Sequence, residues 1–351
     1  MNAESTQRFM LVAGPCAAET EAQLMATAGE LVAMGVTYFR AGIWKPRTKP
    51  GSFEGVGEVG LNWLRQVRQE YRLKVATEVA TAEHLNTVRK YDIDAYWIGA
   101  RTATNPFALQ QLANAMTDED HTVFLKNPVN PDVELWCGAV DRLLSVGVKH
   151  LVLVHRGFSI YNSRLYRNTP FWNIAIEMKR RYPTIPLLCD PSHMGGQVSL
   201  IEPLSQQALD FGYEGLMVEC HANPECALSD RQQQLSPAQL REMLSRLVVR
   251  QTKDIPDELD VLRRKIDTID ETLFELLSQR IDVCRQIGKY KQQNNLTLFQ
   301  NNRYTEVLAH YAAMAEEQGL SPRFAEQLFE QIHTESLRQQ HELLNHSPAD
   351  D

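Results

Sequence analysis

The feature of this sequence that most limits its possible folds is a repeat. Between residue 9 and about residue 250, eight short apolar runs alternate with amphipathic helical patterns. The runs are almost continuously apolar, as in parallel strands that are covered on both faces. They are Phe9–Pro15, Thr37–Gly42, Lys74–Val79, Ala95–Ala100, Thr122–Asn127, His150–Gly157, Pro186–His193 and Gly215–His221. Eight such units within roughly 250 residues favour a closed (β/α)8 TIM barrel over an open doubly wound sheet.

Polar residues stand at the carboxyl end of every predicted strand, which is where barrel enzymes place their chemistry. Four of these residues are cations, and the other four are acid–base groups or metal ligands. In chain order they are Cys16, Arg40, Glu78, Arg101, Lys126, Arg156, His193 and Glu219. If the strands lie as predicted, these side chains converge on one rim of the barrel and form a single site.

One part of this set has the composition of a metal site. It offers one sulfur, one nitrogen and two carboxylates, from Cys16, His193, Glu219 and Asp230. Asp230 follows the eighth strand and lies within chain reach of Glu219. Cys16 considered alone would be read as a buried structural thiol. The mixed set suits a borderline divalent ion, for which we expect manganese, with iron, cobalt and zinc as alternatives.

The cations form a second part of the predicted site. Arg40, Lys45, Arg101, Lys126 and Arg156 would create a pocket of positive potential, although the chain carries a net charge of −8. Lys45 and Arg47 stand on a loop that Pro46 stiffens by fixing one backbone angle. Ammonium and guanidinium groups in this arrangement suit a phosphate or a carboxylate. The sequence therefore predicts a site for a small, highly charged anion.

Charge and composition exclude several other classes of protein. The net charge of −8 argues against nucleic acid as a general partner. No apolar run is long enough to span a membrane, and the N-terminus lacks a signal-peptide pattern. The 6 cysteines have no tight spacing and do not indicate a disulfide framework. We therefore expect a cytoplasmic protein.

The hydrophobic periodicity changes near residue 251. We predict a barrel domain over residues 1–250, a linker over 251–257 and an all-helical domain over 258–351. The first helical pattern runs unbroken to about Gln293, and two more helices follow over 303–318 and 322–344. The simplest interpretation of such a segment is a dimerisation bundle.

The spacing of three cations suggests that this segment has a ligand-binding function in addition to dimerisation. Arg280 and Lys291 are eleven residues apart, close to three helical turns, and so share one face. Arg263 lies seventeen residues from Arg280, roughly 25 Å away along the same helix. One small ligand can contact both arginines only if Arg263 comes from an antiparallel partner helix. A functional site in this domain therefore predicts a homodimer.

Several motifs in the barrel region occur together and carry a family resemblance. They are Gly14-Pro15-Cys16, Arg40 with Lys45-Pro46-Arg47-Thr48, Ile98-Gly99-Ala100-Arg101, His155-Arg156-Gly157, Asp190-Pro191-Ser192-His193, and Glu219 with Asp230. Over residues 8–250 the chain resembles the short, barrel-only form of 3-deoxy-D-arabino-heptulosonate 7-phosphate (DAHP) synthase. The related octulosonate 8-phosphate synthases typically have Lys-Ala-Asn-Arg in place of Lys45-Pro46-Arg47-Thr48. The form present here points to a four-carbon sugar.

This resemblance implies a reaction and a role for each matching residue. The family joins phosphoenolpyruvate to erythrose 4-phosphate with the help of a divalent metal ion. Phosphoenolpyruvate would be held by Arg40, Lys45, Arg101, Lys126 and Arg156. Arg47 and Thr48 would bind the sugar phosphate, and Lys45 is the candidate proton donor to the forming alkoxide. The sequence departs from the family after Lys126, where Asn127-Pro128 replaces the Arg-Gly of many members.

A second set of motifs lies in the helical region. It comprises Leu262-Arg263-Arg264-Lys265-Ile266-Asp267, Arg280, Gly288-Lys289-Tyr290-Lys291, Arg303, and Glu335-Ser336 with Gln340. Over residues 257–344 the chain resembles an all-helical chorismate mutase.

This second resemblance implies that the two carboxylates of chorismate are bound by Arg280, Arg303 and the partner chain's Arg263. Lys291 and Gln340 would donate hydrogen bonds to the ether oxygen, and Ser336 shares a helix face with Gln340. The family often carries acidic groups where this chain has Gln300 and Tyr304. The contact to the substrate hydroxyl is therefore not assigned.

Together the two resemblances imply a bifunctional enzyme of the shikimate pathway and of aromatic amino-acid biosynthesis. The fusion suggests allosteric regulation, in which prephenate bound at the helical domain inhibits the barrel. One alternative is an octulosonate 8-phosphate synthase barrel with a helical dimerisation or regulatory module. A catalytically dead metal-binding scaffold is another, and the full set of strand-end residues argues against it.

Overall fold

The protein contains two compact units, residues 1–251 and residues 252–351. Its structure is a computed structural model, which describes residues 9–45, 51–117, 119–161, 163, 165–250 and 257–345. Among the described residues, no helix is both long and apolar enough to cross a membrane.

The first unit is a closed barrel of eight parallel strands, as the sequence predicts. Each strand pairs with the next along the chain, and the last pairs with the first. The strands are β1 Met10–Gly14, β2 Tyr38–Arg40, β3 Lys74–Val79, β4 Ala95–Ile98, β5 Thr122–Lys126, β6 His150–His155, β7 Leu187–Cys189 and β8 Gly215–Glu219.

Ten α-helices belong to the described part of this unit. They are α1 Glu21–Leu31, α2 Val59–Tyr71, α3 Ala82–Val88, α4 Ala100–Thr104, α5 Pro106–Ala115, α6 Val133–Ser145, α7 Trp172–Arg181, α8 Pro191–Gly195, α9 Ile201–Asp210 and α10 Pro237–Arg246. Two of them, α4 and α8, start where the sequence predicted that strands would continue.

The seventh strand is shorter than predicted, and the prediction that it reaches His193 is wrong. β7 ends at Cys189, and the side chain of Asp190 accepts a hydrogen bond from the His193 backbone N–H. Pro191 occupies the first helical position, where its missing N–H costs nothing. Asp190 therefore caps the short helix α8, and His193 stands on that helix.

The barrel interior is filled by side chains that alternate with outward-facing ones along each strand. Interior residues include Tyr38, Phe124 and Met217, whereas their chain neighbours pack against the surrounding helices. The next inward position on those three strands, two residues further on, is Arg40, Lys126 and Glu219, all three buried. The same alternation that builds the core therefore aims charged groups at the carboxyl-end rim.

Gly14 allows the first two strands to approach each other closely at this rim. It has φ of +148°, and a Cβ atom at this position would lie 2.2 Å from the carbonyl oxygen of Arg40. Any side chain would push β2 away and displace the Arg40 guanidinium from the barrel axis.

The second unit consists of three helices: α11 Asp257–Gln293, α12 Asn301–Glu317 and α13 Pro322–Asn345. The sequence predicted this all-helical domain, and α13 packs against both of the other helices. Large apolar side chains of α11 nevertheless remain exposed in the single chain, among them Leu262 (55%), Ile269 (65%) and Phe274 (71%). A long helix with so much uncovered apolar surface is typical of an oligomer interface.

Candidate active sites

Three of the four predicted metal ligands lie together at the carboxyl end of the barrel. The ligand atoms of Cys16, Glu219 and Asp230 are all within 4.8 Å of one another. The Cys16 sulfur is 3.4 Å from Asp230 Oδ2. The fourth residue, His193, places Nε2 3.7 Å from Glu219 Oε1. Three ligand groups from residues more than two hundred positions apart thus meet at one place, and His193 adjoins them through Glu219.

The orientation of His193 is fixed by the buried carboxylate of Asp190, which lies 3.0 Å from His193 Nδ1. Burial opposes ionisation of Asp190, but His193 and Lys126 hold its pKa well below the usual range. The ionised carboxylate can accept a hydrogen bond from Nδ1–H, which leaves the lone pair on Nε2, the nitrogen 3.7 Å from Glu219 Oε1. Metal-binding histidines are commonly held in this way.

The donor set fits a divalent cation. Glu219 is fully buried, and its Oε1 lies 3.2 Å from Arg40 Nη2 but makes no hydrogen bond. Burial and the neighbouring Glu219 carboxylate raise the pKa of the Cys16 thiol to about 12, so a cation must displace the thiol proton when it binds. Burial also opposes ionisation of Asp230, yet His193 and Arg167 keep its pKa below the usual range.

A layer of glutamines and one arginine supports these ligands. Gln233 is buried, donates to Glu219 Oε2 at 2.7 Å and accepts a hydrogen bond from Arg167. Arg167 also lies 3.0 Å from Asp230 Oδ1. The Cys16 backbone N–H donates to Gln234 Oε1 at 2.9 Å. The segment after β8 therefore connects three of the four candidate ligands.

The predicted anion site is a cavity of about 620 Å³ beside the ligand cluster, lined by Lys45, Arg101, Lys126 and Arg156. Lys126 is buried and lies 2.8 Å from Asp190 Oδ2. Burial lowers the pKa of Lys126, and the Asp190 carboxylate opposes this shift. Burial likewise lowers the pKa of Arg156 to about 10, so its guanidinium stays charged at neutral pH.

Arg40 has unused hydrogen-bonding capacity. It is 1% exposed, and its guanidinium carbon lies 4.7 Å from the centre of the Trp97 ring. Its Nε and Nη1 have no hydrogen-bond partner, although buried guanidinium donors are costly to leave unpaired. Arg40 does not itself line the cavity described above, whereas Trp97, on which it packs, does.

Lys45 joins the cation pocket to the ligand cluster. Its ammonium lies 3.2 Å from the Cys16 sulfur and donates to the Cys16 carbonyl oxygen. Arg101 stands on α4 at the cavity edge. Arg47 and Thr48, predicted to bind the sugar phosphate, lie outside the described residues.

Four residues with clear structural roles were given no role by the sequence analysis: Arg167, Gln233, Gln234, and Asp190, which stands in one of the motifs quoted there. Asp190 could have been found, because it stands two residues beyond the interior residue Leu188 on β7. The other three stand on connecting segments, where the sequence gives no periodic signal.

The helical domain brings together four predicted site residues. Arg280 donates from Nη1 to Ser336 Oγ at 2.7 Å, which joins α11 to α13. Lys291, 9% exposed, donates to the Leu298 carbonyl oxygen. Gln340 is 6% exposed, and its buried Oε1 has no hydrogen-bond partner.

Two further predicted residues stand apart from this cluster in the single chain. Arg303 is exposed and lies 3.4 Å from Glu306 on its own helix. Arg263 is exposed on α11, one continuous helix, and so lies roughly 25 Å from Arg280 along it.

Comparison with known proteins agrees with this geometry for the barrel. Residues 3–255 match the model of the DAHP synthetase I family. Phospho-2-dehydro-3-deoxyheptonate aldolase of Thermotoga maritima is 36% identical over 253 residues, which cover 72% of this chain and 71% of the relative. A crystal structure of the DAHP synthase of T. maritima superposes with a TM-score of 0.62 at 34% identity and covers 68% of each chain.

The helical region has relatives of its own. Residues 262–341 match the model of chorismate mutase type II. The 4-amino-4-deoxychorismate mutase of Streptomyces pristinaespiralis is 35% identical over 82 residues, which cover 23% of this chain and 64% of the relative. The chain therefore belongs to the DAHP synthetase I family and carries a C-terminal chorismate mutase type II domain, so that it is a bifunctional enzyme.

Proposed function

We propose that the barrel condenses phosphoenolpyruvate with erythrose 4-phosphate to give DAHP and phosphate. The observation that carries this proposal is the direct contact between the cation pocket and the donor cluster, through Lys45 and Arg40. Such a site can hold an acidic phosphorylated enol next to the aldehyde of a second substrate. A divalent ion held by Cys16, His193, Glu219 and Asp230, for which manganese is our first choice, would supply a Lewis acid for the aldehyde oxygen.

The residues of the chain then have separate tasks. Arg40, Lys126 and Arg156, with Arg101, bind the carboxylate and phosphate of phosphoenolpyruvate. The aldehyde carbon is attacked by the enol carbon of this bound substrate. Lys45 delivers a proton to the alkoxide that forms, because its ammonium adjoins the donor cluster. Water adds to the cationic carbon that is left behind, and phosphate leaves. Arg47 and Thr48 are assigned to the sugar phosphate.

For the helical domain we propose the rearrangement of chorismate to prephenate. The supporting observation is a set of contacts between α11 and α13, which we call the groove: Arg280 donates to Ser336, Gln340 packs at Gly288, and Arg280 and Lys291 both act on His333. Arg280 and Arg303, with Arg263 of an antiparallel partner chain, would bind the two carboxylates. Lys291 and Gln340 would stabilise the charge that grows on the ether oxygen.

The name of the Streptomyces relative gives this domain a competing substrate. That relative is called 4-amino-4-deoxychorismate mutase. The compound 4-amino-4-deoxychorismate differs from chorismate by an amine in place of the ring hydroxyl. Both compounds belong in the assay of the helical domain.

The two activities should respond differently to removal of metal. We expect a strong chelator to lower the condensation rate more than about a thousandfold and to leave the chorismate rearrangement unchanged, since only the barrel needs a Lewis acid. The measurement is phosphate release and chorismate loss on the same purified protein, with and without chelator. Restoration by manganese is the control.

The same assay tests the substrate of the condensation. Turnover of arabinose 5-phosphate in preference to erythrose 4-phosphate would instead identify an octulosonate 8-phosphate synthase.

We also propose that prephenate regulates the barrel. Prephenate is the product of the helical domain, and its binding there could couple the flux through the two domains. We expect condensation to slow severalfold at saturating prephenate. An unchanged rate would contradict the proposal. We further propose a barrel domain over residues 1–250, a linker over 251–257 and a helical domain over 258–351, from the change of periodicity near residue 251, and a cytoplasmic location.

A further inference from the structure

The helical domain contains a half-buried histidine that the rearrangement described above does not use. His333 stands on α13, and its Nε2 is buried without a hydrogen-bond partner. Its ring centre lies 4.7 Å from that of Tyr304 and 6.1 Å from that of Phe299. These two aromatic rings hold the imidazole in place from the side of α12.

The placement of His333 follows from helical periodicity. Ser336 follows His333 by three residues and Gln340 follows it by seven, so the three side chains share one face of α13. Ser336 on this face accepts a hydrogen bond from Arg280. Gln340 on the same face packs at Gly288 of α11, where an added Cβ would lie 3.0 Å from Gln340 Cγ. His333 therefore faces the groove that contains the predicted mutase residues.

The charge around this imidazole has one sign. Burial lowers the pKa of His333, and the positive charges of Arg280 and Lys291 lower it further. The ring is therefore neutral at physiological pH.

The chemistry of the substrate decides what this neutral group can bind. Chorismate offers two carboxylates, an ether oxygen and one ring hydroxyl. The cations and Gln340 suit the carboxylates and the ether oxygen, so the hydroxyl is left for a further donor or acceptor, and the free ring nitrogen of His333 is one that the groove offers. An ammonium at the same ring position would instead meet two cations.

We propose that His333, held against Tyr304, is the residue that binds the ring hydroxyl of chorismate and selects against the amine analogue. This inference rests on the mutase function proposed above and assigns the contact for which the sequence alone gave no candidate. The imidazole can donate to or accept from a hydroxyl through Nε2.

The first test compares two substrates on the unaltered enzyme. We expect kcat/KM for chorismate to exceed that for 4-amino-4-deoxychorismate by about a hundredfold or more, since a charged group would be buried without a counter-ion. Equal or greater turnover of the amine would overturn the inference while leaving a mutase in place. Turnover of neither compound would overturn the proposed mutase function and this inference with it.

The second test changes the residue. His333→Leu should lower kcat/KM for chorismate about tenfold, as expected for one lost hydrogen bond, and leave the amine little affected. His333→Asn should recover part of the chorismate activity, and His333→Glu should shift the ratio toward the amine. His310→Leu, which removes an exposed histidine of α12, is the matched control and should change neither rate.

A purely structural role for His333 would give a different result. His333→Leu and His333→Asn would then lower both rates in parallel, together with the unfolding temperature of the helical domain. That outcome would overturn the inference.

Discussion

Replacing Lys45 with methionine is expected to lower kcat for the condensation about a thousandfold. Methionine keeps most of the length of the side chain but cannot supply a proton, and positioned acids contribute on the order of 10² to 10⁴ in rate. The Lys45 ammonium is 3.2 Å from the Cys16 sulfur, at the junction between the anion pocket and the donor cluster. Steady-state phosphate release with both substrates varied would measure the change.

The control for this substitution is Lys74→Met. Lys74 is an exposed residue at the amino end of β3, the opposite end of the barrel, and its replacement should leave the condensation rate unchanged. Bound metal should be measured in both variants, because the Lys45 ammonium contacts a candidate ligand. Full activity of Lys45→Met would refute the proton-donor role. A raised KM for phosphoenolpyruvate with unchanged kcat would reduce Lys45 to a binding group.

The barrel could be predicted because its strands and helices appear in the sequence as a periodic hydrophobic pattern. Apolar runs covered on both faces, spaced by amphipathic helices, have few solutions other than a closed barrel. The site followed from the same pattern, since Arg40, Lys126 and Glu219 each stand two residues beyond an interior residue of their strand. Local periodicity was thus enough to place residues that are distant in the chain on one rim.

Contacts made by connecting segments could not be predicted in this way. The strand pattern suggested that β7 carries His193, whereas Asp190 ends that strand and caps the next helix. Gln233 and Arg167 meet across the site from two different connections. Their positions depend on backbone conformation at residues such as Asp230, which has φ of +49°. No repeating signal in the sequence marks such a conformation.

The helical domain shows a second limit on prediction, which arises because the structure contains a single chain. Helical spacing predicted that Arg280 and Lys291 share one face of α11, and the charges of both lower the pKa of His333. The contact of Arg280 with Ser336 joins two different helices and does not follow from that spacing. Helical spacing also could not supply a partner for the exposed apolar residues Leu262, Ile269 and Phe274 of α11. An antiparallel second chain that covers this surface would also bring its Arg263 to the groove. The predicted site therefore requires the predicted dimer.

Combining two inactive chains is therefore expected to restore chorismate rearrangement. Arg263→Ala and Arg280→Ala should each lower the mutase rate about a hundredfold, since each removes charge-assisted hydrogen bonds to a carboxylate. Arg263 lies roughly 25 Å from Arg280 along α11, so a site within one chain cannot contain both. In a dimer with one chain of each kind, one site has both arginines and the other has neither. Such a heterodimer should show about half of the wild-type rate, because a two-fold dimer holds two equivalent sites.

The heterodimer can be obtained by co-expression of differently tagged chains and sequential purification on both tags. The condensation rate of the same sample serves as an internal control, because neither arginine belongs to the barrel. A wild-type chain paired with one that carries both substitutions gives the reverse test. If the sites are shared between chains, each site of that dimer lacks one arginine, and the rearrangement should stay near background. Half of the wild-type rate from this second dimer, with none from the first, would show that each site is built from a single chain, and it would remove the argument for Arg263 as a partner residue.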